Sequence, residues 1–167
     1  MISAMALFFF PILMAYSAFS DMFTMTISNR ISILLVVGFV ILAVVSDMPL
    51  TEIGWNLTCG LAVLAITFAL FAFGYVGGGD AKLAAATAVW IGWDHIGGYG
   101  IVAALAGAVL TLVIVYIRFL PMPEWLTSRE WFARLYDKTS GIPYGIALAI
   151  AGLVVYPHTR IWVEAFI

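Results

Sequence analysis

The sequence predicts an all-α fold: a polytopic membrane protein of about six transmembrane helices, with a short amphipathic helix at one interface. Composition is the first ground. Of 167 residues, 65% are hydrophobic and 10% charged, and the mean hydropathy of +1.13 lies far above that of soluble domains. The second is length, because six apolar stretches approach the roughly 20 residues that a helix needs to cross a bilayer. The third is charge, which sorts to one side when those stretches are counted as crossings.

The first stretch, residues 2–20, lacks the basic start and small-residue cleavage site of a secretory signal and reads as a retained span. Residues 31–46 and 54–76 follow as apolar runs bounded by polar residues. The fourth, 81–96, is the weakest, since only eleven uncharged residues separate Lys82 from Asp94. It spans if both charges reach toward opposite interfaces and Trp90 and Trp93 anchor the far end. Residues 98–119 and 142–157 complete the set. Six of the 7 basic residues, Arg30, Lys82, Arg118, Arg129, Arg134 and Lys138, then share one face, leaving Arg160 on the other. That asymmetry marks the cytoplasmic side and puts both termini outside. The whole chain, 1–167, reads as a single membrane-embedded domain.

The longest connection, 121–141, carries the interfacial helix. At 100° per residue Trp125, Trp131, Phe132, Leu135 and Tyr136 share one arc, opposite Glu130, Arg134, Asp137 and Lys138. Thr127 and Glu130 have the spacing of a capping box, and Pro121 and Pro123 close the preceding span.

Several functions are excluded or left without support. The lone Cys59 permits no intrachain disulfide and no cysteine metal cluster. No metal or organic cofactor is called for, and nothing in the charge pattern suits nucleic acid. Asp94 and His95 fall on the outer side as interfacial residues, and Asp47 and Glu52 solvate an outer loop. Gly97, Gly98, Gly100 and Gly107 on the fifth span, with Gly145 and Gly152 on the sixth, suggest close helix packing.

Two carboxylates stand out, because an ionisable group near hydrocarbon costs about 2.5 to 3.5 kcal/mol at a helix centre on insertion scales. Asp21 ends the first span and Asp80 lies between the third and fourth. An even number of crossings separates them, so both face the same side at similar depth. Two adjacent carboxyls share a proton, since like charges a few ångströms apart do not both ionise cheaply. The ionised member can deprotonate an attacking water and the protonated member can donate to a developing oxyanion. From spacing alone the pair suits peptide hydrolysis and an ion or proton relay equally. The glycines before Asp80 permit positive φ and a close approach of a second backbone, which would set Asp80 beside an extended substrate.

Gly77, Gly79, Asp80 and Lys82 reproduce a GxGD-x-Lys element that resembles the type IV prepilin peptidases, bilayer-embedded aspartic proteases. Asp21 followed by Ile27, Asn29 and Arg30 resembles their first catalytic segment, with Ser28 where many members carry proline. Ile142-Pro143-Tyr144-Gly145 resembles the Pro-aromatic-Gly element that opens their last span. The resemblance implies Asp21 and Asp80 as the catalytic pair, Gly77 and Gly79 as shapers of the second site, and Lys82 and Asn29 as motif support or substrate contacts. It implies prepilin or pseudopilin substrates with a basic leader and a hydrophobic helix, cut after glycine at the inner face of the cytoplasmic membrane. The segment between Asp21 and Arg30 has no room for the paired-cysteine region of bifunctional relatives. The compact chain resembles the CpaA/TadV-like group acting on Flp-type prepilins, and implies a peptidase without N-methyltransferase activity. The runner-up is a transporter or channel subunit using the two aspartates as a relay, and a third reading is a non-catalytic subunit of a secretion machine.

Overall fold

The computed structural model describes residues 2–166, which form helices and connections with no strand among them. The helices are α1 (Ile2–Thr24), α2 (Asn29–Val45), α3 (Leu50–Ala72), α4 (Gly78–Ile117), α5 (Glu124–Thr127), α6 (Glu130–Tyr136), α7 (Tyr144–Val155) and α8 (Arg160–Phe166), with a 3-10 turn at Tyr156–His158 before the last. Three of them, α1, α3 and α4, are long and apolar enough to cross a membrane, while α2 and Tyr144–His158 are shorter apolar helices.

The helix ends follow from local chemistry. Met25 takes a left-handed φ of 52° and returns its N–H to the Asp21 carbonyl, which stops α1. Asp21 therefore sits in the last turn of this helix rather than beyond it, as the apolar run alone suggested. Asp47, at φ 55°, closes α2 in the same manner, with Met48 N–H on the Ala43 carbonyl. Gly74, at φ 78°, closes α3, and Tyr75 N–H reaches back to the Leu70 carbonyl.

Helix α4 organises the rest. Its first part runs Ala81, Leu83, Ala84, Ala85, Ala86, Thr87, Ala88, Val89, Trp90 and Ile91, all buried. A helix apolar on every side belongs in an interior, and small residues let its neighbours approach. Helices α2, α3 and α7 pack on α4, α7 also packs on α1, and α1 reaches α4 through Phe9 and Phe10 on Trp90. At Gly92 the backbone leaves the helix, φ 68° and ψ 174°, and a Cβ there would stand 2.8 Å from Asn56 Oδ1. The chain folds back at this point. Asp80 and Ala84 line the same cavity as Gly100 and Ala104, positions that a straight helix would hold about 30 Å apart. The fold-back thus lies at Gly92. Gly97, Gly98 and Gly100 have open space where a Cβ would be, so they are not packing positions, whereas Gly107, Gly145 and Gly152 are.

Trp90 is the centre of the core. It is 1% exposed, packs on Phe9, Phe10, Phe39 and Tyr156, and donates its indole N–H to the Leu35 carbonyl at 2.9 Å. The expected interfacial anchor is therefore a core residue, because the first part of α4 lies inside the bundle. Trp93 remains 40% exposed and bonds Thr58 Oγ1. Trp90→Ala should lower the unfolding free energy by about 3–5 kcal/mol, read as a lower midpoint in denaturant titration of the detergent-solubilised protein.

The connection after α4 holds two short helices, α5 and α6, in place of one continuous amphipathic helix. Arg129 is the N-cap of α6 with no side-chain capping bond, so Thr127 and Glu130 form no capping box. Phe132 is buried and Trp131 packs on Phe23 at 5.2 Å, while Trp125, on the separate α5, is 70% exposed. Two arginines fasten this segment. Arg118 donates to the carbonyls of Leu135, Ser140 and Gly141, and Arg134 donates to Phe23 O at 2.7 Å. Asp137 accepts from Thr139 N–H and Oγ1, which holds its carboxyl below the usual range. At the opposite end of the bundle Arg160 pairs with Glu52, and the rings of His95 and His158 lie 6.4 Å apart.

Candidate active site

Asp21 and Asp80 line one cavity of ≈ 920 Å³. Each is set by a helix terminus. Asp21, 5% exposed in the last turn of α1, accepts the Gly145 N–H on Oδ2 at 2.7 Å. That N–H belongs to the first turn of α7, so the carboxylate occupies the anion-favouring end of the helix. Pro143 is the N-cap of α7 and removes a donor that would have gone unpaired there. The Ile142-Pro143-Tyr144-Gly145 element therefore brings the start of α7 onto Asp21.

Asp80 is the third residue of α4, after the N-cap Gly77. Its side chain turns back to the Gly77 N–H, the backward half of a capping box. A Cβ on Gly77 would stand 2.8 Å from Asp80 Oδ2, so the carboxylate holds this position only over glycine. The three glycines are not there for positive φ. Gly77 has φ −69°, and the left-handed glycines of the described residues are Gly74 and Gly92. Absence of a side chain is what they supply: a Cβ on Gly79 would come 3.2 Å from Ile27 Cβ, and one on Gly78 3.2 Å from the Phe71 ring.

Ile27 joins the two halves. It lies against Gly79 on α4, the helix that carries Asp80, and against Gly145 on α7, whose N–H holds Asp21. Ser28 follows as the N-cap of α2 at φ −66°, accepting the Arg30 N–H. This is the φ that proline enforces. The departure from proline leaves the backbone in the same shape and adds a capping hydroxyl.

Lys82 and Asn29 are brought together, but away from the carboxylates. Lys82 Nζ donates to Asn29 Oδ1 at 2.9 Å, and both line a second, apolar groove between α2, α3 and α4. The clasp ties α2 to α4 two residues, about half a turn, from Asp80. Thr67, Met25 and Tyr75, which the sequence did not single out, also line the first cavity, together with Tyr144 of the Pro-aromatic-Gly element. Tyr75 is 79% exposed at the rim, and Tyr144 Oη lies 3.2 Å from Thr111 Oγ1. A large exposed aromatic in the loop before the glycines was the signal available for Tyr75; Thr67 and Met25 carried none. Among the described residues no group of three or more His, Cys, Asp or Glu side chains converges as a metal site.

Apolar helices that gather two carboxylates in a cavity between them define a membrane protein with a carboxylate pair near one end of the bundle. The sequence model of the type IV leader peptidase family matches residues 8–120, a stretch that contains both Asp21 and Asp80. The chain belongs to that family, and its function is leader-peptidase-like. No curated protein and no solved structure matched the chain.

Proposed function

We propose that the protein is an aspartic endopeptidase that removes the leader of Flp-type prepilins, cutting after glycine with the Asp21/Asp80 pair and water. The observation that carries the reading is the shared cavity of the two carboxylates, each backed by a backbone N–H. The ionised member takes a proton from water as its oxygen attacks the scissile carbonyl. The protonated member donates to the carbonyl oxygen, and collapse of the tetrahedral species releases the amine of the mature pilin with a proton returned from the pair. The extended approach to Asp80, with Gly77 at φ −69° and ψ 144°, suits a substrate strand laid along the loop from Gly74.

The proposed setting is the inner membrane, with six crossings, α4 counting as two through its fold-back at Gly92, and both termini outside. In support, Lys82, Arg118 and Arg134 all make their contacts at the end of the bundle that holds the carboxylates, while Arg160 pairs with Glu52 at the other. The short α1–α2 connection supports a peptidase without methyltransferase activity. The test is reconstitution of the purified protein in liposomes with a Flp-type prepilin and N-terminal sequencing of the product. Cleavage after glycine is expected; an intact prepilin under all conditions removes the proposal. Because the pair must hold one proton, cleavage should fall in acid, where both carboxyls are protonated, and in alkali, where both are ionised. A rate that stays flat across the range in which the protein remains folded argues against proton sharing.

A further inference from the structure

The groove between α2 and α3 has no part in the chemistry above. These helices are consecutive, joined by a tight turn, yet each packs on α4 and hardly on the other. The gap between them is a groove of ≈ 630 Å³ with Gly60, Ala86 and Val89 along it and Val36 on its wall. At one end stand Lys82 and Asn29. No carboxylate of the described residues pairs with Lys82, whose hydrogen-bond partner is the neutral Asn29 amide. Arg30 adjoins Asn29 in the sequence.

Polarity and charge decide between occupants. Asn29 and Val37 are eight residues apart on α2, so the groove runs about 12 Å along the helices. Its wall is apolar and its one charged end is positive. A hydrocarbon chain suits the wall and an anionic head suits the end, whereas the basic leader of a prepilin would meet a like charge at Lys82.

We propose that this groove is a binding site for one anionic phospholipid, its two acyl chains between α2 and α3 over α4 and its headgroup phosphate on Lys82 Nζ and the Asn29 amide. The phosphate supplies the negative partner that Lys82 lacks, so the cation that now bonds a neutral amide would bond an anion. The site is independent of whether the carboxylate pair cuts prepilins.

The test uses the full chain, extracted from vesicles of equal phosphatidylglycerol and phosphatidylcholine, with co-purifying lipid counted by native mass spectrometry. One phosphatidylglycerol per chain is expected, favoured over phosphatidylcholine by about tenfold or more. Lys82→Gln should abolish that preference by removing the charge. Val37→Trp, at a position 48% exposed on the groove wall, should lower retention of both lipids without entering the core. Arg129→Gln removes the same charge from the exposed cap of α6 at the same end of the bundle and should change nothing. Equal retention of the two lipids by the unaltered protein overturns the proposal. Loss of the preference in Arg129→Gln as large as in Lys82→Gln also overturns it, since the attraction is then diffuse. So does a photoreactive residue at position 37 that crosslinks to the apolar helix of an added prepilin in place of lipid.

Discussion

Asp21→Asn and Asp80→Asn should each stop leader removal while leaving the protein inserted and folded. The substitutions are nearly isosteric, and the amide oxygen of Asn can still accept the N–H that each carboxylate accepts now, from Gly145 or from Gly77. Fold and chemistry are thereby separated. Neither amide can take a proton from water or donate as an acid at the scissile carbonyl. Positioned acid–base groups contribute about 10²- to 10⁴-fold each, so either variant should fall by at least that factor. The measurement is leader removal in cells coexpressing a Flp-type prepilin, with the thermal midpoint of the purified variant as the control for folding. Non-additivity is expected as well: the double variant should be no worse than either single one, because the two groups act as a unit. Processing that persists in both single variants would leave the pair to an ion relay and would sink the peptidase mechanism.

How far the sequence reached follows from which physical effects are local. Helix positions were legible because apolar runs are a property of composition over about 20 residues. The convergence of Asp21 and Asp80 on one cavity was legible too, since counting crossings fixes the side of a residue without any knowledge of packing. Trp90 was misread for the complementary reason. A tryptophan near a charged residue looks interfacial in one dimension, and only the packing of α2, α3 and α7 on α4, with Phe9 and Phe10 of α1 on the indole, makes it the core. The fold-back at Gly92 was hidden because three other glycines nearby, Gly97, Gly98 and Gly100, are equally permissive and have nothing against them. Which glycine breaks a helix is decided by its neighbours, here Asn56. The triple glycine is a place of close approach, though by Asp80, Phe71 and Ile27 of the protein itself, and it is not a source of positive φ; backbone freedom and missing volume look the same in a sequence.

Gly145 is where missing volume meets the carboxylate site, and Gly145→Ala should damage activity as well as packing. The added Cβ would stand 2.7 Å from Ile27 Cδ1, 2.8 Å from Asp21 Oδ2 and 3.0 Å from Asp21 Cβ. Overpacking of this kind costs about 1–3 kcal/mol, which the thermal midpoint should register. Activity should fall further than stability. The same clash pushes Asp21 off the Gly145 N–H, and a displacement of about 1 Å at a reacting group is worth on the order of 10²-fold in rate. Gly97→Ala is the control: with nothing within 4 Å and no positive φ, it should leave activity alone and raise stability by roughly 0.4–1 kcal/mol. A second-site change separates the two effects of the methyl group. Ile27→Val in the Gly145→Ala background removes the nearest clashing atom, so stability should recover in part. The contacts with Asp21 remain, and activity should therefore stay low. Full recovery of both would place the damage in packing around Ile27, and a Gly145→Ala variant with unaltered kcat would remove Gly145 from the positioning of Asp21 altogether.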